Sequence, residues 1–200
     1  MNANRWTKCN EMSSFEYVTV LISIVLGLGI TQILTGIAKL IQRRSRVKLY
    51  WPHLLWILFI LFLHVQEWWV MYELKGYQPW RLPIFLFIML YPVNLYVMAR
   101  LLFPDRMSGK VTDLKVYYFE NYRNIFTLLV LSAILSIVYN MSILHLQLMD
   151  QILQLLLAVC FTVIVVRNYS GELLHKVLSL IVVSMMMLSV IVEWDEWLIN

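Results

Sequence analysis

The residues whose types and spacing could do chemistry sit inside stretches that are otherwise apolar. His64 and Glu67 lie three residues apart, and His53 precedes them by three turns. At ~100° per residue of an α-helix, His64 projects about 20° to one side of His53 and Glu67 about 40° to the other, so all three share a face. An ionisable group within an apolar span is expensive to bury, so by default it faces protein or water and is a candidate for function. Histidine changes charge near neutral pH and a carboxylate attracts cations, which makes proton or cation handling the chemistry such a pair could support. His175 and Glu193 repeat the arrangement, 18 residues or about five turns apart, with Ser179, Met186 and Ser189 near the same line. His145 and Asp150 bracket the end of another apolar stretch. Asn94 closes Tyr91-Pro92-Val93-Asn94, where the proline removes a backbone donor and frees the carbonyl of Ile88. A simple kink with Asn94 bonded to a neighbouring helix is the expected reading, the alternative being an interrupted helix of the kind that often builds transporter sites. If the helices converge, the acids at the ends of these segments, with His145 and Asp150, would form an acidic, histidine-bearing vestibule, and His64, Glu67, Glu193, His145 and Asn94 are the candidates for an ion or proton pathway. A plainer account is that acids beside tryptophans, as in Glu67-Trp68-Trp69 and Glu193-Trp194, mark a membrane interface.

The elements that must position these residues are membrane helices. Of 200 residues, 61% are hydrophobic and 14% charged, against about 45–50% and about 25% in soluble proteins. Six segments approach the ~20 residues that span a bilayer core: 17–41, 52–74, 83–103, 125–148, 151–166 and 173–194. They predict an all-α, polytopic fold in one six-helix transmembrane domain covering residues 1–200. The fifth segment follows the fourth after Met149 and Asp150 alone, which predicts a tight hairpin. The first is too long for the ~7–15-residue core of a signal peptide and lacks a small-residue cleavage site, so it is expected to be retained.

Twelve of the 16 Lys and Arg residues fall in the connections after the first, third and fifth segments, with four of the 12 acids. Positive charge stays in the cytoplasm, so this asymmetry predicts both termini outside. The aromatic and charged stretch 116–122 is expected to lie on the cytoplasmic membrane surface. Ser23, Gly27, Thr31 and Thr35 step by four along the first segment, and Ser132 and Ser136 do so in the fourth. Small residues so spaced allow close helix approach and hydroxyl bonding, although a pore lining would look similar.

Several classes are argued against. The net charge of +4 resides in short juxtamembrane loops, which fits anionic lipid and not nucleic acid. Neither Gly-x-Ser-x-Gly nor His-Glu-x-x-His occurs, and no two spans carry deep aspartates, so an enzyme is not expected. Cys9 and Cys160 suggest neither a disulfide framework nor a metal site. No cofactor is expected, although His53 and His175, both at cytoplasmic helix ends, could hold a b-type haem. No span carries the arginine ladder of a voltage sensor.

The run Ile22-Ser-Ile-Val-Leu-Gly-Leu-Gly-Ile-Thr-Gln-Ile-Leu-Thr-Gly36 resembles the opening helix of small multi-pass bacterial membrane proteins of unassigned function. That resemblance covers one span and implies no catalytic residues. Size and span count are similar to the bacterial relatives of the lysosomal potassium channel family, whose Phe-Ser-Asp signature is missing from this first helix. The expectation is a small homo-oligomeric channel or transporter for protons or cations in a bacterial inner membrane. A membrane-embedded partner or sensor subunit, with the basic loops holding a membrane or cytoplasmic protein, is the alternative. A haem redox protein comes third.

Overall fold

The computed structural model describes residues 12–104 and 111–192. Six α-helices follow one another: α1 (Ser14–Gln42), α2 (Trp51–Val70), α3 (Leu82–Leu101), α4 (Leu114–Ser142), α5 (Ile152–Arg167) and α6 (Glu172–Val192). The fold is all-α apart from two-residue strands, and each helix, with its flanking 3-10 turn where present, is long and apolar enough to cross a membrane. Large apolar side chains cover the outside on every helix, Leu28, Leu34, Leu86, Ile134, Leu156 and Leu188 among them. Such a surface is suited to lipid and not to water.

Helix boundaries follow from local chemistry. Ser13 and Glu16 form a reciprocal capping box at α1, with the Ser13 hydroxyl accepting from the Glu16 amide and the Glu16 carboxylate accepting from the Ser13 amide. Pro52 and Pro83 stand in the first turns of α2 and α3, where a missing N–H costs nothing. The Asp113 carboxylate accepts from the amides of Lys115 and Val116 to start α4. Asn168, in the left-handed conformation, ends α5.

The connections α1–α2, α3–α4 and α5–α6 gather at one end, hereafter the basic end. Strand β1 (Val47–Lys48) pairs in parallel with β2 (Thr112–Asp113), which ties the first two connections together. Lys115 at the start of α4 bonds Glu172 at the start of α6 over 2.6 Å. In the bundle, α1 packs on α2 and α3, α4 packs on α3 and α5, and α6 packs on α2. α5 and α6 leave their short shared turn and diverge.

The structure departs from the sequence expectation in two places. α4 starts at Leu114 and not near 125, so 116–122 is not a surface segment: Tyr118 and Tyr122 are buried in the bundle. The charges of Lys115, Glu120 and Arg123 lie on its other side, where a hydropathy window averages them with the buried tyrosines. Second, α4 ends at Ser142, and nine residues lead to α5, so the expected two-residue hairpin is absent. The chain turns there through His145 at φ 56°, and a Gln147–Asp150 capping box opens a short 3-10 turn before α5. α3 runs unbroken through Pro92, and Asn94 is bonded to α4.

The face of α1 that packs is Val18, Ile22, Leu26, Gly29, Ile33, Gly36 and Leu40. A Cβ on Gly29 would fall on the His64 imidazole and one on Gly36 on the Phe103 ring, whereas nothing lies within 4 Å of a Cβ on Gly27. Within the chain, therefore, the Ser23–Gly27–Thr31–Thr35 stripe is not the contact: Thr31 and Thr35 are exposed, and the Thr31 hydroxyl is spent on the Gly27 carbonyl. Ser132, by contrast, is buried between α3 and α4, and Ser136 lines the cavity described next.

Candidate functional site

At the end opposite the basic one, α2 to α6 enclose a cavity of about 560 Å³. Glu67, Glu73 and Asp150 bring acids to it, and none of its lining residues among those described is Lys, Arg or His. The deepest lining residue on each helix marks a common floor: Phe59 on α2, Tyr91 on α3, Leu129 on α4, Phe161 on α5 and Val182 on α6. From Asp150 to Phe161 is eleven residues, roughly 16 Å of helix, about half of a bilayer core.

Glu67 is the acid furthest from the mouth. It comes from the last full turn of α2 and has no hydrogen bond or ion pair among the described residues. The Tyr91 and Tyr139 phenols lie within electrostatic reach of its charge. The Tyr139 hydroxyl is buried and has no partner, and neither has the side-chain nitrogen of Gln151, whose oxygen accepts from the Asn140 amide at 3.2 Å. Gln151 is 4% exposed.

Below the floor the space is filled with rings. Phe161 packs against Trp56 and Phe126 with centroids 5.9 and 5.0 Å away, and Trp56 and Phe126 are 5.1 Å apart. Phe126 stacks in turn on His175. These three rings form a plug one turn thick between the cavity and a buried polar network at the basic end. In that network the Tyr169 carbonyl can only accept, so His175 Nε2 donates to it at 2.8 Å and Nδ1 accepts from the Tyr118 hydroxyl at 2.8 Å. Tyr122 donates to the Asn168 side-chain oxygen, and His53 Nε2 donates to the Leu102 carbonyl. Burial, with the Glu172 charge nearby, raises the Tyr50 phenol above its ordinary value, so it stays neutral.

Of the described residues expected in the vestibule or the pathway, Glu67 and Asp150 line this cavity. His64 turns away from Glu67: its Nδ1 donates to the Ile60 carbonyl at 2.7 Å and its Nε2 lies against Gly29 of α1. Helical projection put the two on one face, but their 60° separation is enough to give them different neighbours. Asn94 lies one turn below the floor and donates to the Leu128 carbonyl at 2.9 Å and the Ser132 hydroxyl at 2.7 Å, which makes it a clamp between α3 and α4. His145 is exposed on the connection near the mouth and does not line the cavity, and Glu193 lies outside the described residues. The two histidines considered for haem do not offer facing nitrogens, since His175 spends both of its own on Tyr118 and Tyr169. Among the described residues no three His, Cys, Asp or Glu side chains are grouped to hold a metal ion.

Sequence reasoning missed Tyr91, Tyr139, Gln151 and Gln154 in the cavity, and the tyrosines below it. A signal existed for the latter: Leu114, Tyr118, Tyr122, Ile125, Phe126, Leu129 and Ser132 follow helical spacing across the boundary that hydropathy drew at 125. No family model matches this chain, and neither a curated protein nor a solved structure resembles it at a significant level.

Proposed function

We propose that this chain is a small carrier of protons or cations in a bacterial inner membrane, oriented with the basic end in the cytoplasm and both termini outside. The observation that supports the reading most is the acidic cavity, open at the opposite end and holding Glu67 unpaired halfway toward its floor. An uncompensated carboxylate in low-dielectric surroundings is costly to keep charged. Binding a cation or a proton removes that cost, so the site favours occupancy. The ring plug argues for a carrier and against an open pore, because Trp56, Phe126 and Phe161 pack together between the cavity and the His175 network.

The test is flux into proteoliposomes, followed with a pH-sensitive dye and with sodium and potassium gradients. Glu67→Gln keeps shape, removes charge, and is expected to abolish flux while leaving expression and elution volume as in the parent. Lys75→Gln, on the outer connection, is the control and is expected to change little. Full flux through Glu67→Gln would make the carboxylate an interfacial anchor.

A second reading is favoured by one observation. Among the described residues nothing lies within 4 Å of a Cβ on Gly27, and Thr31 and Thr35 are exposed, as expected of a surface that joins a second copy or a partner subunit. Co-purification of a dedicated partner, with no flux of any cation, would support that reading over the carrier.

A further inference from the structure

We propose that the cavity takes a monovalent organic cation, a protonated amine or quaternary ammonium with an apolar body, seated on Glu67 between aromatic walls. The inference rests on the cation reading above and narrows it to a ligand class. Size is the first argument. About 560 Å³ falls within the ~300–1,000 Å³ typical of small-molecule sites. A bare metal ion would occupy a small part of it and would need a shell of six or more oxygens, whereas one carboxylate reaches this depth.

The walls are the second argument. Phe59, Phe62, Phe87, Tyr91, Tyr139 and Phe161 line the space, and aromatic faces attract ammonium groups most strongly where water is excluded. Charge is the third. Glu67, Glu73 and Asp150 line the space with no basic residue among the described lining. Glu67 is the one carboxylate at depth, so a single positive charge seated there meets one acid at close range while the other two stand nearer the mouth. The fourth is independent of the acids. The Tyr139 hydroxyl and the Gln151 amide nitrogen are buried at this cavity without partners, although buried polar groups are nearly always bonded. Gln151 therefore keeps a donor for an oxygen on the occupant.

The probe is benzyltrimethylammonium, titrated calorimetrically into the purified full-length chain in detergent. Saturable binding at one site per chain is expected. Glu67→Gln should weaken it at least about tenfold, the loss of one buried charge contact, and Glu67→Asp should retain most of it. Tyr91→Leu should weaken it roughly 2- to 30-fold, the range of one cation–π contact. Melting curves identify any variant that fails to fold, and the charge-retaining Glu67→Asp carries the test if Glu67→Gln does so. Lack of saturable binding by the parent chain overturns the proposal, as does equal binding by a folded Glu67→Gln. If benzyltrimethylammonium fails to bind while Glu67-dependent proton, sodium or potassium flux persists, the organic ligand is refuted and the carrier stands. If it binds but no cation is transported, the ligand class is upheld and the carrier reading falls.

Discussion

Replacing Gly29 with alanine adds one methyl group to a long helix, a change that is normally neutral or favourable. Alanine exceeds glycine in helix propensity by about 1 kcal/mol. At this position the new Cβ lands on the imidazole of His64, which is fully buried and held by its bond to Ile60. Overpacking of this kind costs about 1–3 kcal/mol, and loss of the His64 bond adds about 1 kcal/mol. Subtracting the propensity gain leaves a net destabilisation of about 1–3 kcal/mol. For a chain of this length that corresponds to a fall of roughly 2–12 °C in melting temperature. Gly27→Ala, two residues away with nothing within 4 Å, keeps the gain and loses nothing. Its melting temperature should be unchanged or up to about 4 °C higher. Both are measured by thermal unfolding in one detergent at one scan rate. The pair Gly29→Ala with His64→Ala supplies the decisive control, because removing the imidazole relieves the clash. The double variant should be more stable than the two single effects added together. Additive effects, or a Gly29→Ala protein that melts with Gly27→Ala, would refute the contact.

Asn94→Leu removes two bonds between α3 and α4. Interhelical bonds in membranes average ~0.6 kcal/mol, so a loss of about 1 kcal/mol, or roughly 2–4 °C, is expected by the same melting assay. An alkaline phosphatase fused after Asn200 should be active outside the cytoplasm and one inserted at Arg44 inactive, and activity at Arg44 would invert the orientation. Phe161→Ala takes one ring from the three-ring plug and should raise passive cation leak in proteoliposomes several-fold, whereas an unchanged leak would place the barrier elsewhere.

The six long apolar helices were legible because length and hydropathy are read directly from sequence, and α2, α3, α5 and the start of α6 lie within a few residues of expectation. The α4 boundaries were not. Lys115, Glu120 and Arg123 hid two buried turns at its start, while Ile143, Leu144, Leu146 and Leu148 masked its end, since an apolar connection reads like more helix. Glu67 could be singled out because a charge in an apolar run has few innocent explanations. Its neighbours Tyr91, Tyr139 and Gln151 could not, because tyrosine and glutamine near a helix end are ordinary and only the packing of five helices brings them to one space. The two small-residue faces of α1 show the same limit. In a soluble helix the inward face is the apolar one, but in a lipid-facing helix both faces are apolar, so sequence did not distinguish Gly29 and Gly36 from Gly27.

The β1–β2 ladder sets an order of events during synthesis. Val47 and Lys48 leave the ribosome long before their partners Thr112 and Asp113, each 65 positions further along the chain. At ~5–20 residues per second, roughly 3–13 s pass in which β1 has no strand to pair with. Its amides and carbonyls need water or another polar partner in that interval. The clasp can close only when the third connection arrives, so α1 and α2 are joined to α4 late. A chain that stalls before Thr112 is left with an open strand edge, the feature by which incomplete copies can pair with one another.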